Sequence, residues 1–245
     1  MKYKLFFIAI AGLIFFSCKK ENMCDCVKSS GTHMATYRNV AGFNCIELKD
    51  KMDLYITQDS VFEVRVEAGE NLQSLIKTEL DGETLKVFNN NRCNWVRGYN
   101  EKIKVYISAP YFKYLLNSGI GNIESINTIT QGLITFRTGS SGDITLSVNT
   151  GTIRASAHGN GDIYLSGTTN SLENDYTGTN YLYASDLHVA NYIYLHSVSI
   201  GKSYINAPQN GLMDIVIDQS GNIYYTGNPS TINLTKNSTG DLIKQ

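Results

Sequence analysis

SGDITLSVNTGTIRASAHGNGDIYLSG, residues 141–167, holds two copies of one phrase: Gly142-Asp143-Ile144 and Gly161-Asp162-Ile163. The phrase also stands at Gly121-Asn122-Ile123, Gly221-Asn222-Ile223 and Gly240-Asp241-Leu242, and Gly178 and Gly201, followed by Leu182 and Ile205, fill the gap between. The glycines recur every 17 to 23 residues, a period typical of solenoids. Glycine is expected to supply a positive-φ corner, with Asn or Asp bonding its own backbone in the turn. Alternation follows at once. Ile144, Leu146, Val148, Ile163 and Leu165 share one side of a strand, and Thr145, Ser147 and Tyr164 the other. A second short strand precedes each next glycine, at residues 152–157, 192–198, 213–218 and 231–235. One corner and two strands per twenty residues make one coil of a parallel β-helix, which buries its apolar face only by stacking on its neighbours.

The composition agrees with an all-β chain rich in turns: 245 residues, with 21 Gly, 3 Pro and 16 Tyr. A net charge of −1 gives no electrostatic reason to expect nucleic acid as a partner. Residues 1–17 stand apart from the fold. Lys2 and Lys4 precede an apolar run at residues 5–16 that is too short to span a bilayer, and Ser17-Cys18 closes it. This resembles a bacterial lipoprotein signal, with Phe15 and Phe16 departing from the usual residues. The resemblance implies lipidation of Cys18 (palmitate among the acyl chains) and anchoring in the cell envelope, with the outer membrane expected. An ordinary secretory signal is the alternative, and both take the protein out of the cytoplasm. Residues 18–36 read as a tether. Of the remaining cysteines, a Cys24–Cys26 bridge would close a strained ring, so each is expected to pair with one of Cys45 and Cys93. Zinc binding by the same four is the alternative, without a second close pair or a supporting histidine.

Residues 37–117 read as strands joined by tight turns, more irregular than the coils of residues 118–245, and suited to cap the solenoid or form a separate sheet. Asp81-Gly82 between residues 74–80 and 83–88 is a two-residue hairpin signal. DLYITQDSVFEVRVEA (residues 53–68), LDGETLKVF (residues 80–88), the Gly-Asn/Asp-Ile turns and above all SGNIYYTGNP (residues 220–229) resemble the auto-transporter adhesin head, or GIN domain, family, from about Tyr37 onward. The resemblance implies a right-handed β-helix on cell-envelope proteins and an adhesive role. It carries no catalytic residues to this chain. No set of membrane-barrel strands follows, so Cys18 would be the anchor in place of a barrel.

Signals for catalysis are weak. Gly119-x-Gly121 and Gly159-x-Gly161 lack the third glycine and helix of a dinucleotide site, and Gly139-Ser140-Ser141-Gly142 is one residue short of a nucleophile elbow. His33, His158, His188 and His196 have no metal-ligand spacing, though His188 and His196 are placed to meet across a coil, and nothing calls for a cofactor or metal. Asp143 and Asp162 hold equivalent corners and should stack about 4.8 Å apart, as an acid pair of a polysaccharide-acting enzyme would. Asn122 and Asn222 hold the same slot elsewhere, as a structural turn position would. Tyr164, Tyr183 and Tyr224 should face outward beside inward Ile163, Leu182 and Ile223, and Tyr192 and Tyr194 should flank inward Ile193 on the other strand. Such tyrosines suit a platform for a glycan or cell-surface protein, or a ladder in which they pack on one another. The reading is a non-enzymatic, lipid-anchored envelope adhesin or binding module. A β-helical polysaccharide enzyme and a structural envelope spacer are the alternatives.

Overall fold

Apolar residues alternating with polar ones, repeated at 19 to 21 residues, stack strands in parallel. In the computed structural model, which describes residues 28–92 and 102–245, three long strands run around the coil: β11 (Ile144–Gly159), β12 (Ile163–Gly178) and β13 (Leu182–Ser199). Ile144 lies beside Ile163, and Ile163 beside Leu182. The stack continues through β14 (Ser203–Asn206) to β16 (Ile223–Thr226) and β18 (Leu242–Lys244) on one face. On another it runs through β15 (Leu212–Ile217) to β17 (Thr231–Lys236). The whole is a β-solenoid of about 7 turns with coils of about 20 residues, as the repeat predicts.

One inward column shows what holds the coils together. Val66, Val105, Leu54, Ile123, Ile144, Ile163, Leu182, Ser203 and Ile223 succeed one another across the sheet, none more than 1% exposed. Each aliphatic member contributes about 1.5–3 kcal/mol by leaving water. The serine in this column has a partner from another face: the buried Tyr176 hydroxyl lies 2.5 Å from the Ser203 hydroxyl. Two polar groups thus satisfy each other where either alone would be costly.

The N-terminal strands join the same sheet, which has 18 strands among the described residues, but out of chain order. β3 (Met52–Gln58) lies in parallel between β7 (Ile103–Ala109) and β9 (Ile123–Ser125). Likewise β2 (Cys45–Leu48) lies between β6 (Thr84–Asn89) and β8 (Tyr114–Asn117). The coil of residues 45–58 is therefore interior, with a later segment on either side. β10 (Ile129–Thr138) then links β8 to β11. Beyond β7 the sheet turns antiparallel through β4 (Glu63–Gly69) to β1 (His33–Arg38). Gln73 clasps these two strands, donating to the carbonyls of Met34 and Val66. β5 (Ile76–Asp81) forms the expected hairpin with β6, and Gly82 takes φ 59° in its turn.

Cys18, Cys24, Cys26 and Cys93 lie outside the described residues, as do the signal segment and the start of the tether. Cys45 is half-buried, its Sγ 3.2 Å from Asn44 Oδ1, and it has no disulfide partner among the described residues.

Candidate functional site

The repeated glycine opens each corner for a reason other than the one its sequence suggests. Of Gly121, Gly142, Gly161, Gly178, Gly201, Gly221 and Gly240, only Gly178 has positive φ. The requirement at the others is close approach. A Cβ on Gly142 would lie 1.9 Å from the Gly121 carbonyl oxygen, one on Gly161 would lie 2.2 Å from that of Gly142, and one on Gly221 would lie 2.0 Å from that of Gly201. The coils touch backbone to backbone there.

The acidic corner residues are corrected in the same way. Their side chains bond the next coil rather than their own turn. Asn122 Oδ1 accepts the Asp143 N–H at 3.1 Å, Asp143 Oδ1 accepts the Asp162 N–H at 2.8 Å, and Asp162 Oδ1 accepts the Tyr181 N–H at 2.7 Å. Asn222 does the same for Asp241 at 2.9 Å. Any residue with one acceptor oxygen at this reach fills the slot, which is why Asn and Asp interchange. Burial, with a further contribution from the Asp143 charge, holds the Asp162 carboxyl above the ordinary carboxylate range despite its hydrogen bonds.

Two residues on from the corner, the outward side chains form a stack. Tyr164 and Tyr183 have ring centroids 4.7 Å apart with planes within 8°, Tyr183 and Tyr204 5.7 Å, and Tyr204 and Tyr224 5.2 Å. Tyr181 joins from the side, 5.9 Å from Tyr183. Tyr204 is the member the sequence reading missed. Its inward neighbour is Ser203, so the apolar marker that flags the other three is absent. Each near-parallel contact adds about 0.5–1.5 kcal/mol beyond burial, so the rings pack on one another while one side of the column faces solvent. Tyr192 and Tyr194 also point outward beside the buried Ile193, but on another face. The Tyr192 hydroxyl donates to Asp214 at 2.9 Å. Burial, together with these carboxylates, pushes the Tyr164 and Tyr192 hydroxyls up to about 12, so both remain donors at neutral pH.

Beside the stack lies a cleft of about 480 Å3 walled by Tyr164, Tyr183 and Tyr204. Leu165 lies among them, and Thr145, Ser166, Ser185 and Asp186 supply its polar groups. A register shift makes it: Tyr164 pairs with Tyr183, but Ser166 pairs with Asp186. The additional residue in β13 leaves Ser185 and Asp186 both exposed, where regular alternation would turn one inward.

The histidines do not assemble. His158 meets the Thr177 hydroxyl at 3.0 Å, His188 is exposed, and His196 lies between Asp218 at 2.9 Å and Asp175 at 3.7 Å. Among the described residues no group of three or more His, Cys, Asp or Glu is placed to hold a metal ion.

Fold and surface together define a solenoid scaffold that displays side chains in columns along a rigid sheet. The chain belongs to the family described as putative auto-transporter adhesin, head GIN domain, whose profile matches residues 42–229. A crystal structure of a putative adhesin from Bacteroides fragilis is similar at 22% identity and TM-score 0.80, over 87% of this chain and 97% of that one. A putative adhesin from Parabacteroides merdae is similar at 16% identity and TM-score 0.67, over 89% and 98%. A putative lipid binding protein from Parabacteroides distasonis is similar at 19% identity and TM-score 0.65, over 89% and 98%. No curated protein matched the sequence.

Proposed function

We propose that the protein is a non-catalytic binding module of the cell envelope, anchored through acyl chains on Cys18, that meets a glycan or a cell-surface protein with its tyrosine-bearing sheet. The observation that carries this reading is the division of labour among outward side chains. The acids that would serve a hydrolase, Asp143 and Asp162, each use an oxygen to hold the next coil. The tyrosine column, by contrast, lies open along one side with a cleft beside it. Aromatic rings with hydroxyl edges on a rigid support offer a large contact area at little entropic cost. The adhesin family supports a role at the surface.

The test is binding of the purified protein to arrays of surface glycans and to whole cells. Tyr183→Ala and Tyr204→Ala should each weaken capture, while Asp143→Asn with Asp162→Asn should leave it intact. Lowered melting temperature with unaltered capture in both tyrosine variants would make the column a packing ladder and favour the spacer reading. Release of reducing sugar by wild type, lost in the double Asn variant, would favour the enzyme.

A further inference from the structure

The outward column that carries the tyrosines is interrupted at one place. From the N-terminal end, Arg65 lies over the Tyr106 ring at 4.0 Å, and Tyr106 stacks on Tyr55 at 5.0 Å. The next two coils place Glu124 and Thr145 in the same column, both exposed, before Tyr164 begins the four-ring stack. Tyr164 therefore has a ring on one side and a small hydroxyl side chain on the other. The cleft starts at this step and runs alongside Tyr183 and Tyr204 to the β13 bulge.

Its chemistry is specific. Aromatic surface forms one wall, the hydroxyls of Thr145, Ser166 and Ser185 line the rest, and Asp186 is the sole charged side chain in the lining. Most outward acids on the neighbouring coils are engaged: Asp143 and Asp162 hold backbone N–H groups, Asp214 accepts from Tyr192, and Asp218 meets His196. Asp186 instead stands exposed at the bulge, among the residues that line the cleft. A bulge breaks the ladder locally and re-aims side chains, a feature proteins keep beside functional sites.

We propose that this cleft is a sugar subsite that takes an uncharged pyranose. The apolar face of the sugar lies against the solvent-facing edges of the stacked Tyr164 and Tyr183 rings, and two neighbouring hydroxyls donate to the two oxygens of Asp186. The proposal rests on the tyrosine-bearing sheet being the binding surface and names what that surface selects. The cleft volume of about 480 Å3 falls within the range of about 300–1,000 Å3 usual for ligand pockets. Sugar hydroxyls are donors, which a carboxylate accepts by charge-assisted hydrogen bonds. A uronate or sialate would bring a second negative charge beside Asp186 with no Lys or Arg in the lining to offset it. The Tyr164 hydroxyl donates to Asp162 Oδ2 at 3.5 Å and offers its oxygen as an acceptor for a further sugar hydroxyl.

The experiment is isothermal titration of the full chain with neutral tetrasaccharides (gluco-, manno- and galacto-configured) and with tetragalacturonate. Asp186→Ala is the principal variant, being exposed at a bulge, and its melting curve should match wild type. At least one neutral tetrasaccharide should bind, tetragalacturonate should not, and Asp186→Ala should weaken binding at least about tenfold. Neutral sugar binding that survives Asp186→Ala but is lost in Tyr183→Ala would overturn this subsite and leave the tyrosine surface standing. Tighter binding of tetragalacturonate would overturn it as well. No sugar binding, with cell capture still sensitive to Tyr183→Ala, would overturn the sugar and leave a protein partner. Loss of both would remove the surface reading too.

Discussion

Gly142→Ala tests whether the corner glycine is fixed by inter-coil distance. The new Cβ would lie 1.9 Å from the Gly121 carbonyl oxygen and 2.5 Å from Asn117 Nδ2. Real Cβ atoms essentially never approach closer than 3.0 Å, and backbone rather than a flexible side chain stands in the way. The corner must therefore retreat from the preceding coil. Three of the hydrogen bonds that cross that junction are Gly142 N–H to Gly119 O at 3.2 Å, Asp143 N–H to Asn122 Oδ1 at 3.1 Å and Ile123 N–H to Asp143 O at 2.9 Å. At about 0.5–1.5 kcal/mol each, their loss predicts a destabilisation of about 1.5–4.5 kcal/mol before any strain is added. Gly132→Ala is the matched control, since a Cβ there meets nothing within 4 Å. It should be neutral or stabilise by about 0.4–1 kcal/mol through the unfolded chain. Equilibrium unfolding in urea measures both. Equal shifts in midpoint for the two variants would refute the contact argument.

Other outcomes follow from the same geometry. Ile163→Asp places an unpaired carboxylate at a position 1% exposed and should cost more than about 4 kcal/mol. Thr145→Asp, exposed on the outward side, should stay within about 0.5 kcal/mol in the same melts. The raised Asp162 pKa means that ionisation costs the folded state: the penalty is absent below the unfolded pKa and complete above the folded one. Asp162→Asn, which keeps an acceptor for the Tyr181 N–H, should therefore raise the melting temperature at neutral pH, and the gain should vanish near about pH 3. Cys18→Ala should move the protein from the membrane fraction to the soluble one, because acyl burial supplies about 0.8 kcal/mol per CH2. Retention after a high-salt wash would refute the lipid anchor.

Legibility in the sequence follows the periodicity. After Ser118 the apolar residues alternate within strands and recur by coil, so Ile144, Ile163, Leu182 and Ile223 declare their inward direction and their tyrosine neighbours the outward one. Ser203 hides Tyr204 because a buried serine looks like a surface residue until Tyr176, 27 residues earlier in the chain, is seen to reach it. The role of the corner glycines was misread because a one-dimensional string cannot distinguish a glycine needed for φ from one needed for clearance. The cleft was invisible for a related reason. Alternation assigns Ser185 and Asp186 to opposite sides, and only the register with β12 shows both outside. In the N-terminal half β3 to β7 are readable singly, whereas β1 begins inside the stretch that reads as a tether and the short β2 and β8 carry no turn signal of their own. The insertion of β3 between β7 and β9 was not legible, since no repeat length relates those segments.

That insertion governs how the molecule can be made. Coils after Gly142 join partners 19 to 21 residues away, and closing so short a loop is cheap and fast. The coil of residues 45–58 joins segments up to 72 residues downstream, so one of its edges is completed only when residues 84–109 have arrived and the other only when residues 114–125 have. A chain emerging from its N-terminus thus presents its central layer first and completes it late, whereas its distal layers can zip on one at a time. Removing the final coil by truncation should cost one increment of stability. Deleting residues 45–58 should divide the stack into two pieces, neither of which has a partner for its exposed edge.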